Sequence, residues 1–192
     1  MVEQKTKHTY IALLRGINIS GSKLIKMEAL RTLFLDLGFQ RVQTYIQSGN
    51  VVFQTLETDS ALLENDISKA ILDRFGFVVP VFILDNNILQ EILNNNPLLT
   101  TVPLAQNKEL YFTLLKQVTT QKKVDDLGKL DFSPEKCVLQ GKVVYLSLPN
   151  GYGNAKMHNG FFESFFKMPT TTRNWNTMNK LLALSMETDL SE

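Results

Sequence analysis

Short apolar runs and amphipathic segments alternate along the first half of the chain. The apolar runs are rich in β-branched residues and predict strands, whereas apolar residues three and four positions apart predict helices. Leu30, Phe34 and Leu37, for example, form one face of a helix, and Gly38 is suited to end it. The order strand, helix, strand, strand, helix, strand is the ferredoxin-like plan. The predicted strands are residues 10–15, 42–47, 51–54 and 78–84, and the predicted helices are residues 27–37 and 60–75.

The second half of the chain begins the same plan again. Strands are predicted at residues 110–115, 136–139 and 142–148, and pairs of Phe at i,i+4 spacing predict a helix at residues 161–166. No fourth strand is predicted, because Met168-Pro169 interrupts the chain and the threonines that follow are interpreted as a helix cap. The second unit is therefore predicted as an incomplete βαββα copy followed by a C-terminal helix.

These patterns together predict an α+β fold of two ferredoxin-like lobes with mainly antiparallel sheets. Pro80 indicates that the strand at residues 78–84 lies at a sheet edge. The expected boundaries are residues 9–97 for lobe 1 with a trailing helix, 98–108 for a linker, 109–186 for lobe 2 with its C-terminal helix, and 1–8 and 187–192 for flexible tails.

Composition and charge narrow the functional classes only slightly. The chain of 192 residues is 44% hydrophobic with a formal net charge of +1, so binding to nucleic acid or to a membrane surface would depend on a local patch. No apolar run approaches the length of about 18 residues that a membrane span needs, and the N-terminal residues lack the apolar region of a signal peptide. Cys137 is the single cysteine, which excludes an intrachain disulfide and agrees with an expected cytoplasmic location.

A candidate ligand site is predicted at one end of the first sheet. In the ferredoxin-like plan the third strand lies between the first and second, so the end of strand one meets the hairpin joining strands two and three. A guanidinium, amides, a hydroxyl and backbone N–H groups near glycines would suit an anion, and lysines before a helix add charge where its dipole favours anions. The candidate residues are Arg15, Asn18, Lys23, Lys26, Gln47, Ser48 and Asn50.

A structural interpretation of this cluster stays open. Ser48-Gly49-Asn50 is also typical of a plain hairpin turn, and Arg15 could pair with an acidic residue such as Glu28. Neither the GxxxxGK[ST] pattern nor GxGxxG is present, so no cofactor is predicted.

Two further candidates lie in the second half. Arg173 belongs to a polar stretch that contains the single Trp175, which is interpreted either as a helix cap with a core anchor or as part of a ligand site. Lys156 lies in a loop with glycines, where it would reach a phosphate or simply be solvated. One cysteine and two histidines do not assemble a zinc site, and no nucleophile–base pair is evident, so no metal ligand and no catalytic residue is predicted.

Three motifs carry a resemblance to a known family. They are Arg15-Gly-Ile-Asn18, Ile46-Gln-Ser-Gly-Asn-Val-Val-Phe53 and Thr172-Arg-Asn-Trp-Asn-Thr177, and with them the chain resembles the bacterial domain-of-unknown-function family 1697 from Tyr10 to about Leu184. The resemblance implies two ferredoxin-like lobes, but no established activity and no catalytic residue. The loop from Gly151 to Lys156 is similar to the family's glycine-containing loop with a basic residue.

The leading functional hypothesis is a binding module for a phosphate-bearing small ligand or nucleic acid. The strand order is shared with many RNA-binding domains, but the central strand is apolar on both faces and does not suit an open aromatic platform. The alternatives are an enzyme that acts on a small polar substrate between the lobes, and a structural or regulatory protein that associates with itself. The sequence does not decide whether the protein is an enzyme, nor its oligomeric state.

Overall fold

The computed structural model describes residues 6–19, 21–100 and 104–190, which form two compact units. Unit 1 contains the chain up to Glu91 together with the segment from Lys180 onwards. Unit 2 is Ile92–Asn179. The predicted lobe boundaries stay predictions.

Unit 1 is a complete ferredoxin-like βαββαβ arrangement. Its four strands form one antiparallel sheet in the order β2-β3-β1-β4, so β1 and β3 are central and the strand that follows Pro80 lies at an edge, as predicted. A further helix, α3, follows the last strand. The elements are β1 (His8–Leu14), α1 (Met27–Asp36), β2 (Gln40–Tyr45), β3 (Asn50–Thr55), α2 (Ser60–Phe75), β4 (Val81–Asp85) and α3 (Asn86–Asn94).

The apolar pattern of β1 explains why it occupies the centre of the sheet. Residues 9–14 are all buried, because a central strand covered on both faces has no solvent-facing position. Ala12 and Leu14 belong to one core cluster with Phe34 of α1 and Ile67 of α2. Each side chain of this kind contributes about 1.5–3 kcal/mol when fully buried.

Unit 2 repeats the same plan, and here the sequence-based prediction of a missing fourth strand was wrong. Its sheet has the order β6-β7-β5-β8, again antiparallel, which completes a second βαββαβ arrangement. Helix α6 follows, with its first residues in unit 2 and its residues from Lys180 in unit 1. The elements are β5 (Leu110–Leu115), α4 (Gln121–Gly128), β6 (Lys136–Gln140), β7 (Val143–Ser147), α5 (Asn159–Phe166), β8 (Thr170–Asn174) and α6 (Trp175–Leu190).

Strand β8 was not predicted from the sequence because its buried side chains are polar. Thr170 and Thr171 are 0% exposed. The Oγ1 atoms of Thr113 and Thr172 lie 2.7 Å apart across the β5–β8 pair, and Thr170 and Thr172 both donate to Oδ1 of Asn159. Threonine is β-branched and suits a strand, and these hydrogen bonds satisfy the hydroxyl groups that burial removes from water.

The structure also shows ordered elements in segments that the sequence assigned to a linker and to tails. Residues 98–108 include parts of two 3-10 helices, Pro97–Thr100 and Leu104–Glu109, while residues 101–103 lie outside the described residues. β1 already includes His8, and α6 continues through Leu190. Residues 1–5 and 191–192 of the expected tails lie outside the described residues.

Trp175 begins α6 and is partly buried, which agrees with its interpretation as an anchor of the helix start. Its ring is stacked on Phe112 of β5, with centroids 5.9 Å apart and planes at 24°. The tryptophan is therefore a contact between the start of α6 and the second sheet.

At Gly49, the β2–β3 turn packs closely against the end of β1 and the residues that follow it. Its φ is +77°, and a Cβ at this position would lie 2.8 Å from Cβ of Leu14 and from Cδ1 of Ile17. Gly38 has a similar φ of +83° but no heavy atom within 4 Å of the same construction.

We expect Gly49→Ala to lower the free energy of unfolding more than the control Gly38→Ala. Both variants carry the cost of a left-handed alanine, about 1–2 kcal/mol, and Gly49→Ala adds an overpacking cost of about 1–3 kcal/mol. Urea denaturation monitored by circular dichroism measures both. Equal losses for the two variants would contradict the close contact.

Candidate functional site

The β1–α1 loop and the β2–β3 turn meet at one end of the first sheet, as the topology predicted. The pairing of β1 with β3 continues past the strand ends, where the Leu14 N–H donates to the Gly49 carbonyl at 2.8 Å. This backbone contact brings together residues more than thirty positions apart in the chain. The two segments carry seven of the nine candidate ligand residues.

The side chain of Asn18 ties the loop to the turn. Its Oδ1 accepts a hydrogen bond from the Ile25 N–H at 2.8 Å, while Nδ2 donates to the carbonyls of Ile25 and Gln47, each at 2.9 Å. Asn18 itself has a φ of +55°, a conformation that Asn tolerates better than most residues. With both Nδ2 hydrogens engaged, the amide acts as an internal connector between the loop and the turn.

Asn50 and Ser48 stabilise the turn from within. Asn50 is 0% exposed, and its Nδ2 donates to the Tyr45 carbonyl at 2.9 Å and to Oγ of Ser48 at 3.0 Å. Ile46, which follows Tyr45 in this turn, has a φ of +48°, which is unusual for a β-branched residue. The hydrogen bonds of Asn50 therefore hold a strained turn in place.

At this end of the first sheet, Arg15 and Lys23 lie next to the segment that precedes β4. The Arg15 N–H donates to the Pro80 carbonyl at 2.9 Å, and the Arg15 side chain is half-buried. Lys23 is exposed, has a φ of +47° and donates from Nζ to the Val78 carbonyl at 2.8 Å. Both residues therefore link the loop to the segment before β4.

A surface cavity of about 370 Å³ opens beside this network, where α1 begins. Lys26 is the N-cap residue of α1, it is exposed, and its side chain makes no capping hydrogen bond. The first-turn N–H groups of α1 are consequently not satisfied by a side-chain cap, and the positive end of the helix dipole lies at the cavity. The lining residues are Asn18, Leu24, Ile25, Lys26, Met27 and Gln47.

Lys156 and Arg173, the other two predicted site residues, lie in unit 2 and are not among the residues that line this cavity. Lys156 is exposed, and its Nζ lies 3.5 Å from the Ser133 carbonyl. Arg173 is 9% exposed, and its Nη1 donates to Oγ1 of Thr171 and to the Thr172 carbonyl, each at 2.9 Å. These two basic residues therefore belong to a different unit from the other seven.

Glu135 is a residue that sequence reasoning missed. Its carboxylate, on a residue only 9% exposed, accepts hydrogen bonds from the backbone N–H groups of Lys156 at 2.8 Å and Met157 at 3.0 Å. This carboxylate anchors the glycine-containing loop. Sequence periodicity does not indicate that a carboxylate will accept hydrogen bonds from backbone about twenty positions away. The role of Glu135 is therefore visible only in the folded structure.

Cys137 lies partly buried on β6, beside a second surface cavity of about 350 Å³. Burial, and secondarily the charge of Glu135, raise the pKa of its thiol.

Among the described residues no cluster of three or more His, Cys, Asp or Glu side chains is placed to hold a metal ion. In the same part of the chain, no helix combines the length and the apolar character needed to cross a bilayer.

Two complete βαββαβ units in one chain define a protein of the double ferredoxin-like α+β class. Residues 8–145 match the family described as "Protein of unknown function (DUF1697)", and the chain belongs to that family. This confirms the resemblance to the family; the first two motifs lie within the matched residues, and the motif from Thr172 to Thr177 lies outside them.

A solved structure supports the same fold. The chain is similar to the conserved bacterial protein SP0830 from Streptococcus pneumoniae, with 21% sequence identity and a TM-score of 0.72. The similarity covers 94% of this chain and 99% of that one. At this identity the likeness shows the shared fold. No curated protein matches the chain significantly.

The three hydrogen bonds of Asn18 lead to a stability prediction. We expect Asn18→Ala to lower the free energy of unfolding by about 1–3 kcal/mol, because the part-buried Ile25 N–H loses its acceptor and two carbonyls lose a donor. Gln47→Ala is the matched control, since it removes an exposed amide while keeping the carbonyl that Asn18 contacts; a change within about 0.5 kcal/mol is expected. Urea denaturation measures both, and an unchanged midpoint for Asn18→Ala would refute the connector role.

The raised pKa of Cys137 leads to a second prediction, for thiol reactivity. Because the folded protein holds less thiolate at a given pH, iodoacetamide should modify Cys137 more slowly in the folded than in the urea-unfolded chain. The pH at which the rate reaches half its maximum should also be higher for the folded chain. Mass spectrometry of timed samples between pH 7 and 10 measures the rates. A folded chain that reacts as fast as the unfolded one at every pH would contradict both the burial and the shift.

Proposed function

We propose that this protein binds a small phosphate-bearing ligand in the cavity at the start of α1. The observation that carries the proposal is the coincidence of Lys26, the uncapped first turn of α1 and a cavity of about 370 Å³ at one place. Helix N-termini bind phosphate through backbone N–H groups, and a lysine at the same place adds a full positive charge.

The positive charge around the cavity favours an anion, and at the cavity lining this charge comes from Lys26. Arg15 and Lys23 add positive charge at the same end of the sheet, whereas Glu28 in the first turn of α1 opposes it. Lys26 is the charged residue that lines the cavity itself, so its ammonium group is the natural partner of a phosphate.

In this proposal the predicted ligand residues divide into two groups. Lys26 and Gln47 line the cavity and contact the ligand, while Asn18, Ser48 and Asn50 hold the loop and turn that shape it. Lys156 and Arg173 in unit 2 take no part in binding this ligand.

The rest of the lining indicates a small ligand more than a nucleic-acid strand. Leu24, Ile25 and Met27 supply an apolar wall that suits the uncharged part of a phosphomonoester. A strand of nucleic acid is held by several Lys and Arg contacts to successive phosphates, and this cavity offers one.

We expect Lys26→Gln to weaken phosphate-ester binding about tenfold, the effect of losing about 1.4 kcal/mol of charge-assisted hydrogen bonding. Isothermal titration with inorganic phosphate and with a panel of nucleoside monophosphates and sugar phosphates measures the affinity. Lys69→Gln is the control, because it removes one exposed charge from α2 and leaves the cavity intact.

Two results would reject the proposal. One is the absence of binding by every phosphate of the panel to the wild-type protein. The other is an equal loss of affinity in Lys26→Gln and Lys69→Gln, which would show only a change in net charge. Tight, strongly salt-dependent binding of single-stranded oligonucleotides that is insensitive to Lys26→Gln would instead place nucleic-acid binding elsewhere on the molecule.

A further inference from the structure

Each of the two sheets has two edge strands, which are β2 and β4 in unit 1 and β6 and β8 in unit 2. An edge strand presents a row of backbone N–H and C=O groups that can pair with a strand of another chain. Proteins commonly block such edges with a bulge, with charged side chains or with a covering element. The treatment of each edge therefore indicates whether it is built to stay unpaired.

Both edges of the first sheet are blocked. β2 is irregular, because its register against β3 shifts and Arg41 has a φ of +48°. Nε of Arg31 also donates to the Val42 carbonyl of this strand at 3.1 Å. On β4, the Ile83 N–H donates to Oε1 of Glu64 at 3.1 Å. Irregular backbone and charged side chains from the helices thus occupy these edges.

One edge of the second sheet, β8, is blocked in a similar way. The Thr170 N–H donates to Oε1 of Glu163 at 3.4 Å. Nη1 of Arg173 donates to the Thr172 carbonyl at 2.9 Å. Charged side chains therefore engage backbone groups of β8, as Arg31 and Glu64 do in unit 1.

The remaining edge strand, β6, is regular and its outer side is open. All five residues of β6 pair with β7 in one continuous register. Within the part of the chain that the structure describes, no hydrogen bond joins the β6 backbone to anything except β7. Cys137, Val138 and Leu139 are half-buried, so apolar side chains extend to this edge. A regular strand of this kind is a template for the addition of another strand.

The surface cavity of about 350 Å³ that adjoins the start of β6 suits a side chain of such a strand. Leu127, Leu130, Phe132 and Cys137 supply its apolar lining, and Leu130 is 44% exposed. In strand addition, backbone hydrogen bonds give affinity and pockets for alternate side chains give specificity. An apolar side chain from a strand paired with β6 would cover the exposed apolar lining.

We propose that the outer edge of β6 pairs antiparallel with β6 of a second copy of this chain, about a two-fold axis at Val138. This is the register in which all five residues of each strand are paired. It places Val138 opposite Val138 of the second copy, and Leu139 of the second copy opposite Cys137. Directly opposite side chains lie on the same face, with Cβ atoms about 4.5–5.5 Å apart. Leu139 of each copy therefore lies at the cavity beside Cys137 of the other.

The charges of this segment are compatible with self-pairing. Lys136 comes opposite Gln140 of the second copy, so no like charges face each other directly. The two Lys136 residues are offset by four positions, about 14 Å along the strand, which exceeds the screening length of about 8 Å at physiological ionic strength. The turn after β6 carries exposed Lys142 and continues past the start of the facing β6, where Asp131 is exposed at the cavity.

Cysteine cross-linking in the full chain tests the register. Cys137→Ser removes the single cysteine, and either Val138→Cys or Gln140→Cys is then added. Facing residues of an antiparallel pair have Cα atoms about 4.5–5.5 Å apart, which suits a disulfide, whereas the two copies of residue 140 are offset by four positions. With oxidised glutathione, we expect the dimer yield of the Val138→Cys chain to exceed that of the more exposed Gln140→Cys control about tenfold on a non-reducing gel.

Sedimentation velocity tests the association itself. Because the paired strand is short, we expect the wild-type chain to form a reversible dimer whose fraction rises with concentration. Val138→Lys removes an apolar pair and places like charges opposite each other, so it should weaken the dimer about tenfold. Val118→Lys is the matched control, because it adds the same charge at a valine of unit 2 that is 63% exposed and lies outside β6. This control should dimerise like the wild-type chain.

Three results would overturn the proposal. They are a wild-type chain that stays monomeric at every concentration, an equal loss of dimer in Val138→Lys and Val118→Lys, and cross-linking of Gln140→Cys as efficient as that of Val138→Cys. Urea denaturation checks that Val138→Lys remains folded, and if it does not, the cross-linking result decides. The proposal rests on unit 2 alone, so it stands or fails separately from phosphate binding at Lys26.

Discussion

The geometry of the first unit's candidate site depends on one side-chain amide, that of Asn18. Its three hydrogen bonds join the loop after the central strand to the turn between β2 and β3, and all of them involve backbone groups. A polar group in this position is effective because each unmade bond would leave a backbone donor or acceptor poorly satisfied. The connection joins Ile25 and Gln47, which both line the cavity at the start of α1.

In this arrangement, some polar residues hold the loop and the turn in place, and others are available to contact a ligand. The amides of Asn18 and Asn50 are occupied by the loop and turn, so they shape the site without offering free donors to a ligand. Lys26, at the uncapped start of α1, combines exposure with a favourable helix dipole. The anion chemistry proposed for the protein therefore rests on a smaller set of residues than the sequence motif suggests.

Buried polar groups recur in both units and explain features that hydrophobicity alone does not. The threonines of β8 are buried through mutual hydroxyl contacts and through Asn159, and Glu135 is buried through two backbone N–H groups. In unit 1, Gln43 and Gln54 both donate hydrogen bonds to Thr188, to its Oγ1 atom and to its carbonyl respectively. The hydrogen bonds of these threonines and of Glu135 offset the loss of water, whereas Oε1 of Gln54 is buried without a partner among the described residues.

The sequence by itself determined the α+β class, seven of the eight strands and the meeting of the Arg15–Asn18 segment with the Ser48–Asn50 turn. These features follow from short-range apolar periodicity, from turn residues and from the fixed strand order of the ferredoxin-like plan. The family motifs agreed with this reading.

The eighth strand and the contacts of the polar side chains were decided by the tertiary structure. Strand β8 carries threonines in place of an apolar pattern, so its burial depends on partners in β5 and α5. Likewise, whether the side chain of Asn18 contacts a ligand or the backbone depends on its distance from Gln47, which lies 29 positions away in the chain. Local periodicity records which face of an element is apolar, but it carries no information about which polar groups meet once the elements pack.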